Sequence, residues 1–547
     1  MKKIVATTLG NCVHVAGVYN FLRLAEACGY QTSFLGIGAK PKEIIGALRE
    51  VEPKYLALSY RLTPEVAAKL FAELKNALIE SGIKGQKIIF GGTPSVAKVA
   101  EKSGFFYRVF SGEEAESRII AFLKGEQGDS ESINLGNNLL ERIRKKHPYP
   151  VLRHHFGLPT LEETISGVRR LAEAEVLDII SLGPDQNAQE SFFRPEEMDR
   201  SQDGAGGVPI RSEEDLIKIY EATRRGNQPL LRCYSGTRDL INWAELAVRT
   251  IKNAWGAIPL FWYSRLDGRS DRTLVEAITE NQATMVWYGA RGIPVEVNEA
   301  HHWSLRGAPD SIAVAAFYLA AYNAKKAGVR DYIAQIMLNN PPGTSSVMDL
   351  GKALAGLEMI ARLEDSEFKI YRQIRAGLAS LSVNQAVAKG QLAASTVLGL
   401  ALKPEIIHVV AYCEADHIAN PEEIIESCEI VQGVLKNCIF DAPDPTTDPR
   451  VMARKNELLA EAEIILEAIR KLGTVAIDDP LSEPKVLATA VNLGILDAPQ
   501  LKGNPEAPGR IQTGMLEGAC RILEGKRVIR EQERLARPKA ERREGNG

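Results

Sequence analysis

With 547 residues the chain is too long for one core, and two or three domains are expected. Hydrophobic residues at 45% and charged residues at 25% match ordinary globular composition, which excludes wholesale disorder. Lys and Arg number 67 against 70 Asp and Glu, a net charge of -3, so there is no overall basic field and nucleic acid is excluded as the main partner.

The opening MKKIVATTLG sets two lysines before an apolar run, but that run meets Asn11, Cys12 and His14 too soon for a signal peptide and reads as a first strand. From 1 to 124, strand-like runs at 4–9, 31–37, 54–60, 87–92 and 106–112 alternate with helical stretches near 17–28, 41–51, 63–82, 94–103 and 113–124. This alternation specifies an α/β domain, a flavodoxin-like doubly wound parallel sheet, whose ligand binds at the carboxyl ends of the strands where their order reverses. Residues 125–150 are polar and rich in Gly, Ser and Asn, and read as a linker.

From 151 to 480 the alternation returns, with strands expected at 176–183, 229–236, 258–264, 293–299, 333–339, 405–414 and 474–479. About eight βα units predict a (β/α)8 TIM-type barrel with its chemistry at the strand C-termini. Residues 481–524 read as an extension packed on the barrel, and 525–547 as a charged, flexible tail. The longest apolar stretches, such as 312–321, are too short to span a bilayer, so no membrane partner is expected. Seven dispersed cysteines, without a CxxC pair, point to reduced thiols and a cytoplasmic setting.

The first strand is followed by Cys12-Val13-His14-Val15-Ala16-Gly17, the third ends at Ser59, and the fourth ends in Gly91-Gly92. Taken alone, His14 can be a plain loop histidine. In order and spacing, however, these residues resemble the Asp-x-His-x-x-Gly, Ser-x-Leu and Gly-Gly motifs of the cobalamin-binding domain shared by adenosylcobalamin mutases and methionine synthase. The resemblance implies that His14 is the lower axial ligand of the cobalt. It also implies that Gly17, Ser59, Gly91 and Gly92 border the displaced nucleotide tail. Two departures lie close to the metal. Cys12 stands where the family's aspartate would hold the histidine, and Arg61 replaces its leucine, where a guanidinium can meet a corrin amide or a phosphate.

The large domain more faintly resembles the barrel subunit of glutamate mutase (methylaspartate mutase). The resemblance is carried by PLLRCYSGTRD (229–239), MVWYGARGIPVEVNEAHHWS (285–304) and TAVNLGILDAPQLKGNP (489–505). It implies that Arg232 grips a substrate carboxylate, for which bidentate geometry is the physical reason. Where that family has a second gripping arginine, this chain has Asn298-Glu299-Ala300 followed by His301-His302, which argues against glutamate itself. Tyr263, Arg265, Glu299, His301 and His302 are the remaining catalytic candidates. Asp185, Gln186, Asn187, Asp267, Gln335, Asn339, Glu414, Asp416 and His417 also stand at expected strand ends.

Several of these have structural alternatives. Asp267-Gly268-Arg269 can be a turn, His301-His302 can be packing and capping, and NPPGTSS (340–346) can be either a phosphate loop or a turn. Glu414, Asp416 and His417 have metal-ligand chemistry, but no HExxH or Cys–His cluster with zinc spacing supports them. The resemblances together imply an adenosylcobalamin-dependent carbon-skeleton mutase, an isomerase acting on a small carboxylate substrate, assembled as a homodimer. A corrinoid methyltransferase and a non-catalytic cobalamin carrier or sensor stay open.

Overall fold

The computed structural model describes residues 2–114, 116–125, 135–234, 236–377, 380–439, 442–475 and 477–536. Two compact units divide them, one of 1–135 with 144–148 and one of 136–143 with 149–547.

In the first unit, strands β1 (Lys3–Thr8), β2 (Gln31–Phe34), β3 (Tyr55–Tyr60), β4 (Lys87–Gly92) and β5 (Arg108–Phe110) form one parallel sheet in the order β2-β1-β3-β4-β5. The central β3 is buried throughout and reads as a continuous apolar run, whereas edge strand β2 alternates. Three helices, Pro41–Val51, Pro64–Glu80 and Pro94–Ser103, begin with proline at the first helical position. There its missing N–H costs nothing and its fixed φ favours the first turn. Their apolar faces close over Val5, Leu56, Leu58, Ile88 and Phe90.

The second unit is built on eight parallel strands: β6 (Val151–Phe156), β7 (Ile179–Leu182), β8 (Leu230–Cys233), β9 (Gly256–Ile258), β10 (Val295–Val297), β11 (Asp331–Leu338), β12 (Lys369–Ala376) and β13 (Ile406–His408). Each pairs with the next except β8 with β9, and β13 returns to β6 through Ile406↔Val151 and His408↔Arg153. The β8–β9 gap is bridged by Ala254 N–H donating to Leu231 O at 2.9 Å and Cys233 N–H donating to Asn253 Oδ1 at 2.9 Å. The result is a nearly closed (β/α)8 barrel. The apolar 312–321 lies in helix Asp310–Lys326, which is buried on nearly every side because helix Pro449–Arg470 packs over it.

Five expectations change. The strands 151–156 and 369–376 were not foreseen, because Arg153, His155, Gln373 and Arg375 break their apolar pattern. The strand expected at 474–479 is absent: its described residues form a turn with Val475 fully exposed, and Ala476 lies outside the described residues. Segment 258–264 leaves the sheet after Ile258, because the amides of Leu260 and Phe261 donate to Glu299 instead of to a ladder. Of the expected linker, Leu139–Lys146 is a helix whose buried Arg142 donates to the carbonyls of Asn227 and Gln228 at 3.2 and 2.9 Å. Of the expected flexible tail, Glu531–Ala536 is a helix whose buried Glu531 accepts from Ser311 Oγ at 2.7 Å, while 537–547 lie outside the described residues.

Candidate functional site

In the first unit the chain leaves β1 to one side and returns as β3 on the other, so the order reverses between their carboxyl ends. Such a reversal opens a crevice. Leu9 N–H donates to Ser59 O at 2.9 Å and Cys12 N–H to Leu9 O at 3.2 Å, closing a tight turn at Gly10, whose φ is +56°. Cys12 is drawn into the core and anchors the loop, leaving Val13 and His14 exposed. Cys12 Sγ lies 3.7 Å from His14 Nδ1, and Nε2 has no protein partner among the described residues. The thiol therefore touches the same imidazole, but as a far weaker hydrogen-bonding group than a carboxylate.

Ser59 is buried at the end of β3 and pairs in register with Gly91, as Tyr60 does with Gly92. A Cβ on Gly92 would sit 2.7 Å from Tyr60 O and 2.8 Å from the Phe90 ring, whereas one on Gly91 or Gly17 would meet nothing within 4 Å. Gly91 and Gly17 thus leave open space beside the crevice, and Gly92 lets two strands close. Arg61 is exposed just beyond β3. Sequence reasoning missed Thr7 and Thr8: Thr7 Oγ donates to Gly36 O at 2.8 Å, and Thr8 Oγ accepts from Gly38 N–H at 3.0 Å. The residues present fit a corrinoid: an exposed imidazole with a free nitrogen, next to a crevice kept open by glycines.

In the second unit alternate residues point inward, and near the carboxyl ends of the strands they are polar. Arg153 donates from Nε to Gln373 Oε1 at 2.7 Å, from Nη1 to Ser181 Oγ at 2.8 Å and from Nη2 to Gln335 Oε1 at 3.0 Å. Glu296 accepts from Trp255 Nε1 at 2.7 Å, and its carboxylate lies 3.4 Å from Arg232 Nη2 and 3.9 Å from Arg153 Nη2. Among the described residues Arg232 Nε and Nη1 are buried without a hydrogen-bond partner, and the Tyr234 ring lies 4.3 Å from its guanidinium. Burial and Arg232 bring Arg153 down to about 9, while Arg232 and Arg153 hold Glu296 below the usual carboxylate range against its burial. Two arginines thus flank one buried carboxylate, and Arg375 on β12 feels the charges of Glu414 and Glu296.

Tyr234 Oη lies 2.8 Å from His155 Nε2, and the His155 ring packs against His408 at 4.5 Å. Burial and the arginines push both imidazoles well below their ordinary range. His301 joins this group, its Nδ1 3.4 Å from Gln335 Nε2, and burial and Arg375 bring it down to about 3.

The other expected residues divide. Tyr263 and His302 form an aromatic cluster with Trp262, and burial pushes the Tyr263 phenol up to about 12. Glu299, raised to about 8 by burial, spends both oxygens on Leu260 N–H, Phe261 N–H and Trp303 Nε1–H, so it anchors a loop. Arg265 is exposed on that loop, away from the buried group. Asp267 accepts from Ser264 N–H at 3.0 Å, which closes a turn and leaves Arg269 half-exposed. Asp185 clamps Ala188 N–H, Gly204 N–H and Arg211; Asn187 holds Asp199 O and Asp203; Gln186 is exposed. Asn339 N–H donates to Asp349, and Ser345 caps helix Ser346–Ala361, so 340–346 is a structural turn. Glu414 pairs with His154 at 2.8 Å, whereas Asp416 pairs with His417.

The polar interior escaped detection because Arg153, His155, Gln373 and Arg375 lie in segments too polar to register as strands. Their spacing of two was the available signal.

No protein-family model matches this chain, and no curated protein matches it. Among solved structures, it is similar to a novel cobalamin-binding protein from Desulfitobacterium hafniense DCB-2, with 32% identity over 20% of this chain and 52% of that one, at a TM-score of 0.18. It is also similar to OxsB, a cobalamin-dependent S-adenosylmethionine radical enzyme, with 12% identity over 90% of this chain and 71% of that one, at a TM-score of 0.20. The chain thus spans about half the length of the first of these. At such TM-scores neither likeness bears on what this chain does, and the reading rests on its own residues.

Proposed function

We propose that the chain is a cobalamin-dependent enzyme, an adenosylcobalamin-dependent carbon-skeleton mutase acting on a small carboxylate. One observation carries the reading: His14 stands exposed with a free Nε2 at the β1–β3 reversal, beside Ser59 and the open positions at Gly17 and Gly91. An imidazole nitrogen suits cobalt. When bound, adenosylcobalamin supplies a carbon-centred radical by cleavage of its cobalt–carbon bond.

Everything else is done by the chain. His14 would hold the cobalt through Nε2, and Cys12 Sγ, 3.7 Å from Nδ1, would fix the imidazole. Ser59, Gly91, Gly92 and Gly17 shape the crevice, and Arg61 meets polar groups at its edge. In the barrel, Arg153 and Arg232 leave a positive surplus over Glu296, which an incoming carboxylate neutralises. Arg232 offers two unpaired nitrogens for that contact. Tyr234 and His155, hydrogen-bonded to each other, orient the rest of the substrate, and His301 stays neutral so that it can accept or donate a hydrogen bond without adding charge.

The test adds adenosylcobalamin anaerobically to the full chain with a panel of small carboxylic acids. A paramagnetic signal that depends on one of them, and weakens in Arg232→Met, is the expected result. Methyl transfer to or from the cofactor without such a signal identifies a methyltransferase instead. Binding with neither outcome identifies a carrier or sensor.

A further inference from the structure

A further group of chemistry-bearing side chains lies in the second unit, on the loop between β13 and helix Pro421–Cys438. Single ligand atoms of Cys413, His417 and Glu423 lie within 4.8 Å of one another. Cys413 Sγ is 3.4 Å from Glu423 Oε2, and His417 Nε2 is 2.8 Å from Glu423 Oε1. The second imidazole nitrogen, Nδ1, lies 2.9 Å from Asp416 Oδ2.

Helix capping accounts for only part of this. Asn420 caps the helix, and Glu423 returns one oxygen, Oε2, to Asn420 N–H at 3.0 Å. Oε1 is not needed for the cap, nor are the thiol and the imidazole. The arrangement has the features of a metal centre: a sulfur, a nitrogen and an oxygen converging on one point, and a carboxylate behind the histidine to fix its tautomer. Burial is graded to match, with Cys413 in the core, Glu423 at 14% and His417 at 42% side-chain exposure, so one side stays open to entry.

We propose that Cys413, His417 and Glu423 bind one zinc ion, with water in the fourth position and Asp416 orienting His417. A thiolate in the set favours zinc over magnesium or calcium, which take oxygen ligands. On binding, the Cys413 thiol proton and the proton on His417 Nε2 pass to solvent. The Nδ1–H stays on Asp416, and Glu423 Oε2 keeps Asn420 N–H. His417, Asp416 and Glu414 also line a cavity of about 420 Å³ with His154 and His155, which gives the open coordination position room for a small ligand.

The test is the zinc content of the full chain, prepared without cobalamin, stripped on a chelating resin, given an excess of Zn(II) and desalted. One zinc per chain is expected in the wild type and in Glu414→Gln, and its loss in Cys413→Ser and His417→Ala. Replacement by Co(II) should give a sulfur-to-cobalt charge-transfer band that Cys413→Ser abolishes. His417 is exposed, so His417→Ala keeps the test valid if the buried cysteine variant does not fold. A wild type without zinc, or zinc content unchanged in His417→Ala, overturns the proposal. None of these outcomes depends on cobalamin binding.

Discussion

Gly91 and Gly92 are neighbours in the chain with opposite structural demands. Gly92→Ala drives a Cβ to 2.7 Å from Tyr60 O, a backbone atom that cannot step aside, while Gly91→Ala enters open space. Gly92→Ala should therefore cost about 1–3 kcal/mol in urea unfolding, as overpacking does. Gly91→Ala should leave stability within about 0.5 kcal/mol, as substitutions clear of packing do, and weaken cobalamin binding instead. Equal destabilisation by both would contradict the assignment. At this scale the small-domain motif was legible, because His14, Gly17, Ser59, Gly91 and Gly92 all border loops at one end of one sheet. The barrel candidates were less so. Glu299 and Asp185 look chemical in sequence, yet their oxygens are consumed by backbone amides and by the Trp303 and Arg211 side chains, which only three-dimensional contacts reveal.

Polar residues on the inward face distinguish the barrel strands from ordinary buried ones. Glu296 is the single carboxylate bracketed by Arg153 and Arg232, all three fully buried. Removing one member of a buried ionic group leaves the others uncompensated, so Glu296→Gln should destabilise the chain by about 3–5 kcal/mol in urea unfolding. A change below about 1 kcal/mol, the size of an exposed ion pair, would show that the arginines do not rely on Glu296. The same feature explains what could be read in advance. Strands with apolar interiors, such as 179–182 and 331–338, were found with small shifts in their ends. Those at 151–156 and 369–376 were missed because arginine, histidine and glutamine alternate inward there. The run at 474–479 misled in the opposite sense: it is apolar enough to resemble a strand, but Val475 faces solvent.

Across the molecule, four histidines, His302 and His408 buried and His155 and His301 half-buried, are held below their ordinary value near 6.5, His301 at about 3. Unfolding restores the ordinary value, so below about pH 6.5 the unfolded chain takes up protons that the folded chain refuses, and stability falls as pH falls. Glu299, raised to about 8, acts in the opposite direction between its ordinary value and 8, and the raised carboxyls of Asp349, Glu405, Glu461 and Asp497 share its sign. The melting temperature should drop steadily from pH 7 to pH 5, and His408→Gln should flatten the slope; a flat profile in the wild type would contradict this burial. At this scale the α/β class with parallel sheets, one of them a nearly closed barrel of eight strands, was legible from alternation alone, since unit count survives errors in individual strands. The central claim is that His14 binds the cobalt. Its most direct test is the electron paramagnetic resonance spectrum of Co(II) cobalamin bound to the full chain carrying ¹⁵N-histidine. The account predicts histidine-nitrogen coupling that changes with the isotope and is lost in His14→Ala. Coupling insensitive to the isotope, from the cofactor's own base, or no binding at all, would contradict it.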